Sequence, residues 1–311
     1  ELGFSEEFSK KQVDIIEGYE SIGVMSTCTC TPYLVGNSPL INEHVAWSES
    51  SAVCYVNSAI GARSNREGGP SALLAAIVGR TPYYGNHILE NRQADMIFNV
   101  DYDFKDSIDY GALGYFTGQI VNDKKPYFRL NDKVSRNNLK LLGAALASSG
   151  AVSLYHIEGV TPEADYASCC DSFGELEVVD IEASDIEDTI LKLNTTDKMP
   201  DLVCLGCPHA SISEIKEVAN LISGRKLKAD LWICTSKAIK AMSEQCGYLD
   251  IIEAAGGKIV SDTCMVVAPV EDLSYEVIGV NSAKAANYVP SMCKLDVVYD
   301  SVENLIDMIS E

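Results

Sequence analysis

Three cysteines stand alone in turn-forming settings far apart in the chain. Cys30 lies in Cys28-Thr29-Cys30-Thr31-Pro32-Tyr33, Cys207 in Leu205-Gly206-Cys207-Pro208-His209, and Cys264 in Ser261-Asp262-Thr263-Cys264-Met265. The last two follow or interrupt apolar, strand-like runs. Thiolates are ligands for iron, and three of them from separate loops leave one position on the metal open. An open position is what Lewis-acid chemistry requires, because substrate must reach the metal. Spacing alone does not separate this from three unrelated buried thiols. Cys204 and Cys207 have C-x2-C spacing, but Cys204 sits inside an apolar run and should face away from the loop. No second such pair exists, which argues against a zinc ribbon.

Other residues could handle an anion or a proton near those thiols. Arg63 and Arg66 flank Asn65 in a turn that ends Glu67-Gly68-Gly69-Pro70. Guanidinium forks grip carboxylate or phosphate in two places, and neighbouring backbone amides can complete a cradle. The same arginines would serve equally well as surface ion pairs. Asn57 and Asn65 join them as candidate substrate contacts. The glycines follow no phosphate-loop or dinucleotide pattern. Glu43, His44 and Glu49 share a polar segment with Trp47; a carboxylate beside an aromatic ring can have a raised pKa and act as acid or base. Glu49 and His44 are therefore the catalytic candidates, against a plain capping role. Lys284 follows Ser282 at the start of a small-residue helix, where the dipole disfavours a cation. A bound anion would offset that cost, so Ser282 and Lys284 read as substrate contacts. His209 is either a support for the Cys207 turn or an ordinary first-turn residue. His87 and His156 carry no pattern.

These loops need elements to hold them. At 311 residues and 47% hydrophobic, the chain has ample material for a core. From about residue 135 strands and helices alternate: a helix over 138–149, a strand over 152–157, a strand over 177–181, then a helix over 184–193 with Ser184 as N-cap. A strand over 201–205 leads to a helix over 211–223 with a Ser211/Glu214 capping box. A strand over 231–235, two helices up to Gly256 and strands near 258–260 and 276–280 complete the series. Alternation of this kind predicts an α/β fold with parallel sheets flanked by helices, whose ligands bind beyond the carboxyl ends of the strands. Cys207, Ser236 and Cys264 all fall just past such ends. Residues 19–100 read instead as a loop-rich region around a site, with buried small-residue helices over 51–60 and 71–78. The resulting division is 1–134, a cluster- and substrate-binding region, and 135–311, the α/β domain.

Composition narrows the classes further. A net charge of −21 argues against a general nucleic-acid binder. Eleven cysteines, an odd number with no signal peptide ahead of them, argue against a secreted disulfide framework and for a reducing cytoplasm. No apolar run reaches the ~18 residues of a membrane span. The chain opens on Glu1 with a helix over 5–18 already under way, so an N-terminal segment is expected to be absent.

Taken in order, several stretches resemble the aconitase X family: Cys28-Thr29-Cys30-Thr31-Pro32-Tyr33, the run from Glu43-His44 to Val53, Gly61-Ala62-Arg63-Ser64-Asn65-Arg66-Glu67-Gly68-Gly69-Pro70, Leu205-Gly206-Cys207-Pro208-His209, Asp262-Thr263-Cys264-Met265 and Asn281-Ser282-Ala283-Lys284. The resemblance runs from about residue 19 to the end. It implies an aconitase-like fold and an iron-dependent hydro-lyase. Three cysteines hold the iron in that family, and the matching positions are Cys30, Cys207 and Cys264; Cys30 fits better than Cys28 because the Cys-x-Pro-Tyr part recurs. The resemblance implies a [4Fe–4S] cluster, with [2Fe–2S] or mononuclear iron as alternatives. It implies a small anionic substrate, in one branch (R)-5-phosphomevalonate, dehydrated to trans-anhydromevalonate 5-phosphate for isoprenoid biosynthesis, in the other cis-3-hydroxy-L-proline. The Asn65–Pro70 segment is more similar to the first branch. The family's N-terminal Ser/His-rich segment and its small swivelling domain with a catalytic serine have no counterpart here. A small partner subunit is therefore expected, and the general base with it. A non-catalytic iron- or metabolite-binding paralogue is the alternative of another class.

Overall fold

A computed structural model of the chain describes residues 2–311. It contains two parallel sheets. The first comprises β1 (Met96–Val100), β2 (Pro126–Arg129), β3 (His156–Ile157) and β4 (Val178–Ile181), in the order β3-β2-β1-β4. The second comprises β5 (Leu202–Leu205), β6 (Asp230–Thr235), β7 (Lys258–Ser261), β8 (Val277–Val280) and β9 (Asp296–Tyr299), in the order β7-β6-β5-β8-β9. Every strand pair is parallel. The central strands read as unbroken apolar runs because helices cover both faces; all four residues of β5 and of β8 are buried. These are the flanked parallel sheets that strand–helix alternation predicts.

The helix Arg136–Gly150 is the column around which the site is assembled. It packs against Ser107–Val121, Ser50–Tyr55 and Ala283–Met292. Its approach to Ser107–Val121 depends on glycine: a Cβ on Gly114 would lie 2.6 Å from the Leu142 carbonyl oxygen. By touching both Ser50–Tyr55 and Ala283–Met292, this column brings residues from opposite ends of the sequence face to face.

Several elements differ from the sequence expectation, each for a local reason. The strand over 152–157 is reduced to His156–Ile157, because the backbone before it serves the loop region: Tyr155 N–H donates to Ser58 Oγ at 2.8 Å, and Ser153 O accepts from Asn57 Nδ2 at 2.9 Å. The helix after β4 starts at Ala183, capped by Glu182 with Asp185 completing the box, not by Ser184. The helix Gly69–Val78 is not buried; none of its residues is, and Leu74, Ile77 and Val78 are each at least 60% exposed. The first sheet takes strands from either side of residue 134. The strands β1, β2 and β9 and the helices Ser107–Val121 and Val302–Met308 had not been read from the sequence.

Candidate functional site

The carboxyl ends of the second sheet carry the site. Cys207 follows β5, Ser236 follows β6, Cys264 follows β7, and Asn281 and Ser282 follow β8. The chain turns into Cys207 at Gly206 with φ +94°, and a Cβ there would strike the Cys234 carbonyl oxygen, so glycine is required. A cavity of about 330 Å³ opens against Gly206, Cys207, Pro208 and Asn281.

His209 ties the three cysteine loops together. Its backbone N–H donates to Cys30 Sγ at 3.1 Å. Its Nε2 donates to the Thr263 carbonyl at 3.1 Å, and Nδ1 then accepts from the Thr29 hydroxyl at 2.9 Å. One buried imidazole thus contacts the Cys30 and Cys264 loops from within the Cys207 loop. Lys140, on the central column, fixes this arrangement by donating to the His209 carbonyl at 3.1 Å and to Glu214 at 2.5 Å.

The three thiols lie within one another's electrostatic reach. Burial pushes the Cys30 thiol up to about 12; Glu49 adds to that, while the His209 amide and Lys284 pull it back. Burial also raises Cys207, with Lys284 opposing and the Cys264 and Cys30 thiols adding. Cys264 is raised chiefly by burial. Among the described residues no three His, Cys, Asp or Glu side chains already stand in metal-ligand geometry. The donor set nonetheless fits the iron–sulfur cofactor the fold family suggests: three thiols from three loops, with one ammonium to favour thiolate.

That ammonium is Lys284. Ser282 caps its helix by accepting from Ala285 N–H at 3.3 Å. The anion that offsets a cation at this helix start is Glu49, whose Oε1 lies 2.5 Å from Lys284 Nζ. Glu49 is itself the cap of Ser50–Tyr55, accepting from Ala52 N–H and Ser51 Oγ, each at 2.6 Å. The expectation of a raised Glu49 pKa is corrected: burial does push it up, but Lys284 and the two cap bonds outweigh burial, and the carboxyl sits below its usual range. Burial likewise disfavours the charged Lys284, and Glu49 overrides it, so the ammonium is held more firmly than usual.

His44, expected to work with Glu49, belongs to a different cluster. It is exposed and stacks on buried His87, with the two Nδ1 atoms 2.8 Å apart. Burial and the nearby Arg63 and Arg92 lower its pKa. Arg63 is also in this cluster, donating to His87 O at 3.2 Å and Asn42 Oδ1 at 2.9 Å. Asn57 is fully used: Nδ2 donates to Ser64 O and Ser153 O, and Oδ1 accepts from Ser64 N–H and Arg92. Asn65 bonds Tyr84 O and Asn86 N–H. Asn57 and Asn65 therefore have their amides committed to shaping the loop, while Arg63, bonded through both Nη atoms, keeps a buried Nε without a partner. Arg66 is exposed, with one bond to Ala151 O at 2.9 Å, and is the side chain this loop presents outward.

Sequence reading missed Arg92, Glu163, Lys140 and the linking role of His209. Arg92 is wholly buried and forms ion pairs with Glu163 at 2.5 Å. Its only sequence signal is a lone arginine in Glu90-Asn91-Arg92-Gln93, directly ahead of the apolar run of β1.

Models of the aconitase X first, second and third domains match residues 1–90, 94–191 and 200–311. The phosphomevalonate dehydratase large subunit of Methanothermobacter thermautotrophicus is 59% identical, over 98% of this chain and 76% of that protein. The cis-3-hydroxy-L-proline dehydratase of Hypocrea jecorina is 33% identical, over 96% of this chain and 52% of that protein. The crystal structure of Thermococcus kodakaraensis aconitase X in its holo form superposes with a TM-score of 0.93 at 43% identity, covering 98% of this chain and 78% of that one.

Proposed function

The chain belongs to the aconitase X family, and from that premise we propose that it is the large subunit of a dehydratase acting on (R)-5-phosphomevalonate to give trans-anhydromevalonate 5-phosphate. The mevalonate route to isoprenoids would use that product. The observation that carries this reading is the convergence of three thiol loops on His209 beside the Lys284–Glu49 pair, in a chain so similar to a phosphomevalonate dehydratase large subunit. We assign Cys30, Cys207 and Cys264 to an iron–sulfur cluster, [4Fe–4S] in this reading. When bound, that group supplies Lewis-acid polarisation of the leaving hydroxyl.

The chain's own residues do the rest. The substrate is a 3-hydroxy acid, so the proton to be lost sits on C2, beside the carboxylate. Lys284 Nζ binds that carboxylate and stabilises the negative charge that builds on it as the C2–H bond breaks. Binding takes Lys284 from Glu49, which leaves the Glu49 carboxylate half-buried without its main partner and raises its proton affinity. Glu49 Oε1 thereby becomes a proton acceptor within this chain, alongside whatever base the small subunit brings. The C3–O bond breaks and hydroxide leaves as water after taking up a proton. Arg66 holds the phosphate, at a distance from the reacting carbons.

A small partner subunit completes the enzyme in this reading. The apolar, uncovered helix Gly69–Val78, just beyond Arg66, supports that partner. Free thiols throughout the described chain support a reducing cytoplasm as its setting. The test mixes iron-loaded chain, prepared anaerobically, with its small subunit and either 5-phosphomevalonate or cis-3-hydroxy-L-proline. Dehydration of the first is expected. Turnover of the second alone overturns the substrate, and turnover of neither moves the chain to the non-catalytic reading.

A further inference from the structure

The loop that presents Arg66 is held from beneath by a residue with no assigned role. Residues Val56–Ile60 form a π-turn, and Gly61 leaves it with φ +77°. A widened turn of this kind frees backbone carbonyls and tends to mark functional sites. Asn57 O within this turn and Ala62 O just past its exit accept from Arg92 Nη2 at 3.0 and 3.2 Å. Arg92 Nη1 donates to Asn57 Oδ1 and Asn86 O, both at 3.1 Å. Its Nε donates to Glu163 Oε2 at 2.6 Å. The Asn57 amide held in this way clamps both the N–H and the carbonyl of Ser64, and Asn86 N–H bonds the Asn65 side chain. One guanidinium thus bonds Asn57 and Ala62 directly, Ser64 through the Asn57 amide and Asn65 through the Asn86 backbone, and none of its surface is open to solvent.

We propose that Arg92, locked by Glu163, is a positioning residue that sets the conformation of the 57–66 loop and so the placement of Arg66 against the anionic end of the substrate. The proposal rests on Arg66 as a substrate contact, and it goes beyond that contact by placing the determinant of its geometry on a residue that never touches substrate. Lysine cannot replace the fork, because a single ammonium cannot reach carbonyls on opposite sides of the turn and Glu163 together.

The experiment compares R92K, E163Q and R66Q chains, each assembled with iron and the small subunit. The readouts are KM and kcat for 5-phosphomevalonate and amide hydrogen exchange across residues 57–67. Arg92→Lys should raise KM about tenfold or more, in line with losing one charge-assisted contact, leave kcat within about twofold, and speed exchange at Ala62 and Ser64. Glu163→Gln, which keeps the shape and one acceptor, should move both in the same direction by less. An Arg92→Lys enzyme with unchanged loop exchange, or with KM unmoved while Arg66→Gln raises it, overturns the proposal. If Arg66→Gln leaves KM unmoved, the substrate reading of the loop fails, and the clamp is then decided by exchange alone. If Arg92→Lys does not fold, Glu163→Gln decides, and no change in either readout overturns the clamp.

Discussion

The two charged pairs at the heart of this protein are built for opposite ends. Arg92–Glu163 has every guanidinium nitrogen committed, to a carboxylate and four further acceptors, and no opening to solvent. Lys284–Glu49 joins two helix starts through a single contact, beside thiols, with Glu49 still 31% exposed. A fully bonded pair resists exchange, since any newcomer must match all its partners. A singly bonded, partly exposed pair invites exchange, because an incoming carboxylate can replace the one it meets. The comparison separates a part that holds shape from a part that changes partner, though both are arginine or lysine against glutamate.

The sharpest way to break the comparison is to remove what the exchanging pair serves. Changing Cys30, Cys207 or Cys264 singly to serine should abolish turnover and lower the iron retained per chain in anaerobically prepared protein. The fold should survive, since each lies in a loop, Cys207 and Cys264 past strand ends and Cys30 ahead of the turn Pro32–Leu34. A matched Cys54→Ser control, in a wholly buried helix position, should keep its iron. Undiminished iron in any one of the three would remove that residue from the ligand set.

The next test separates exchange from rigidity. Lys284→Met strands the Glu49 carboxylate, and breaking a largely buried pair from one side costs about 3 kcal/mol, the low end because Glu49 keeps some solvent. Adding Glu49→Gln removes the stranded charge, so most of that loss should return in the double variant while activity stays lost. The measurement is the urea midpoint of the four-member cycle beside its turnover. A double variant no more stable than Lys284→Met would mean that the pair is structural, like Arg92–Glu163.

The two regions also differ in how far the sequence revealed them. The placement of Cys207, Glu49 and Lys284 in turns and at helix starts was legible because turn chemistry marks it: Gly206 before Cys207, Ser282 two residues before Lys284, Glu49 at a helix start. The alternation of β5 to β8 with helices was legible for the same reason, since buried parallel strands read as apolar runs. What it hid is partnership across distance. Nothing in Glu49 names Lys284, which is 235 residues away, so a capping carboxylate looked like a group with a raised pKa. Arg92, Glu163 and Asn57 were opaque because their work is done on backbone carbonyls, which carry no residue type. The helix Gly69–Val78 misled by composition, its small apolar residues suggesting a core that the described chain does not build around it.

The smallest effect concerns the rigid region and comes from pH. His156 is buried, donates through Nε2 to the Arg92 carbonyl at 2.8 Å, and has no partner on Nδ1. Burial, the largest influence, lowers its pKa to about 4. An unfolded histidine titrates near 6.5, so between those values the unfolded chain binds the extra proton. Stability contributed by neutral His156 is therefore complete above pH 6.5, declines as pH falls through that window, and levels off below 4. By pH 5 the loss should reach about 2 kcal/mol. A His156→Gln variant keeps a donor without the titration, so its stability should fall less between pH 7 and pH 5 than that of the unaltered chain. The unaltered chain should also show faster amide exchange at Ala62 and Ser64 at pH 5, after correction for intrinsic rates, because His156 anchors the backbone of Arg92. Equal slopes for the two chains would mean that the imidazole already meets water in the folded state, and that the floor beneath the Arg92 clamp is less closed than its geometry implies.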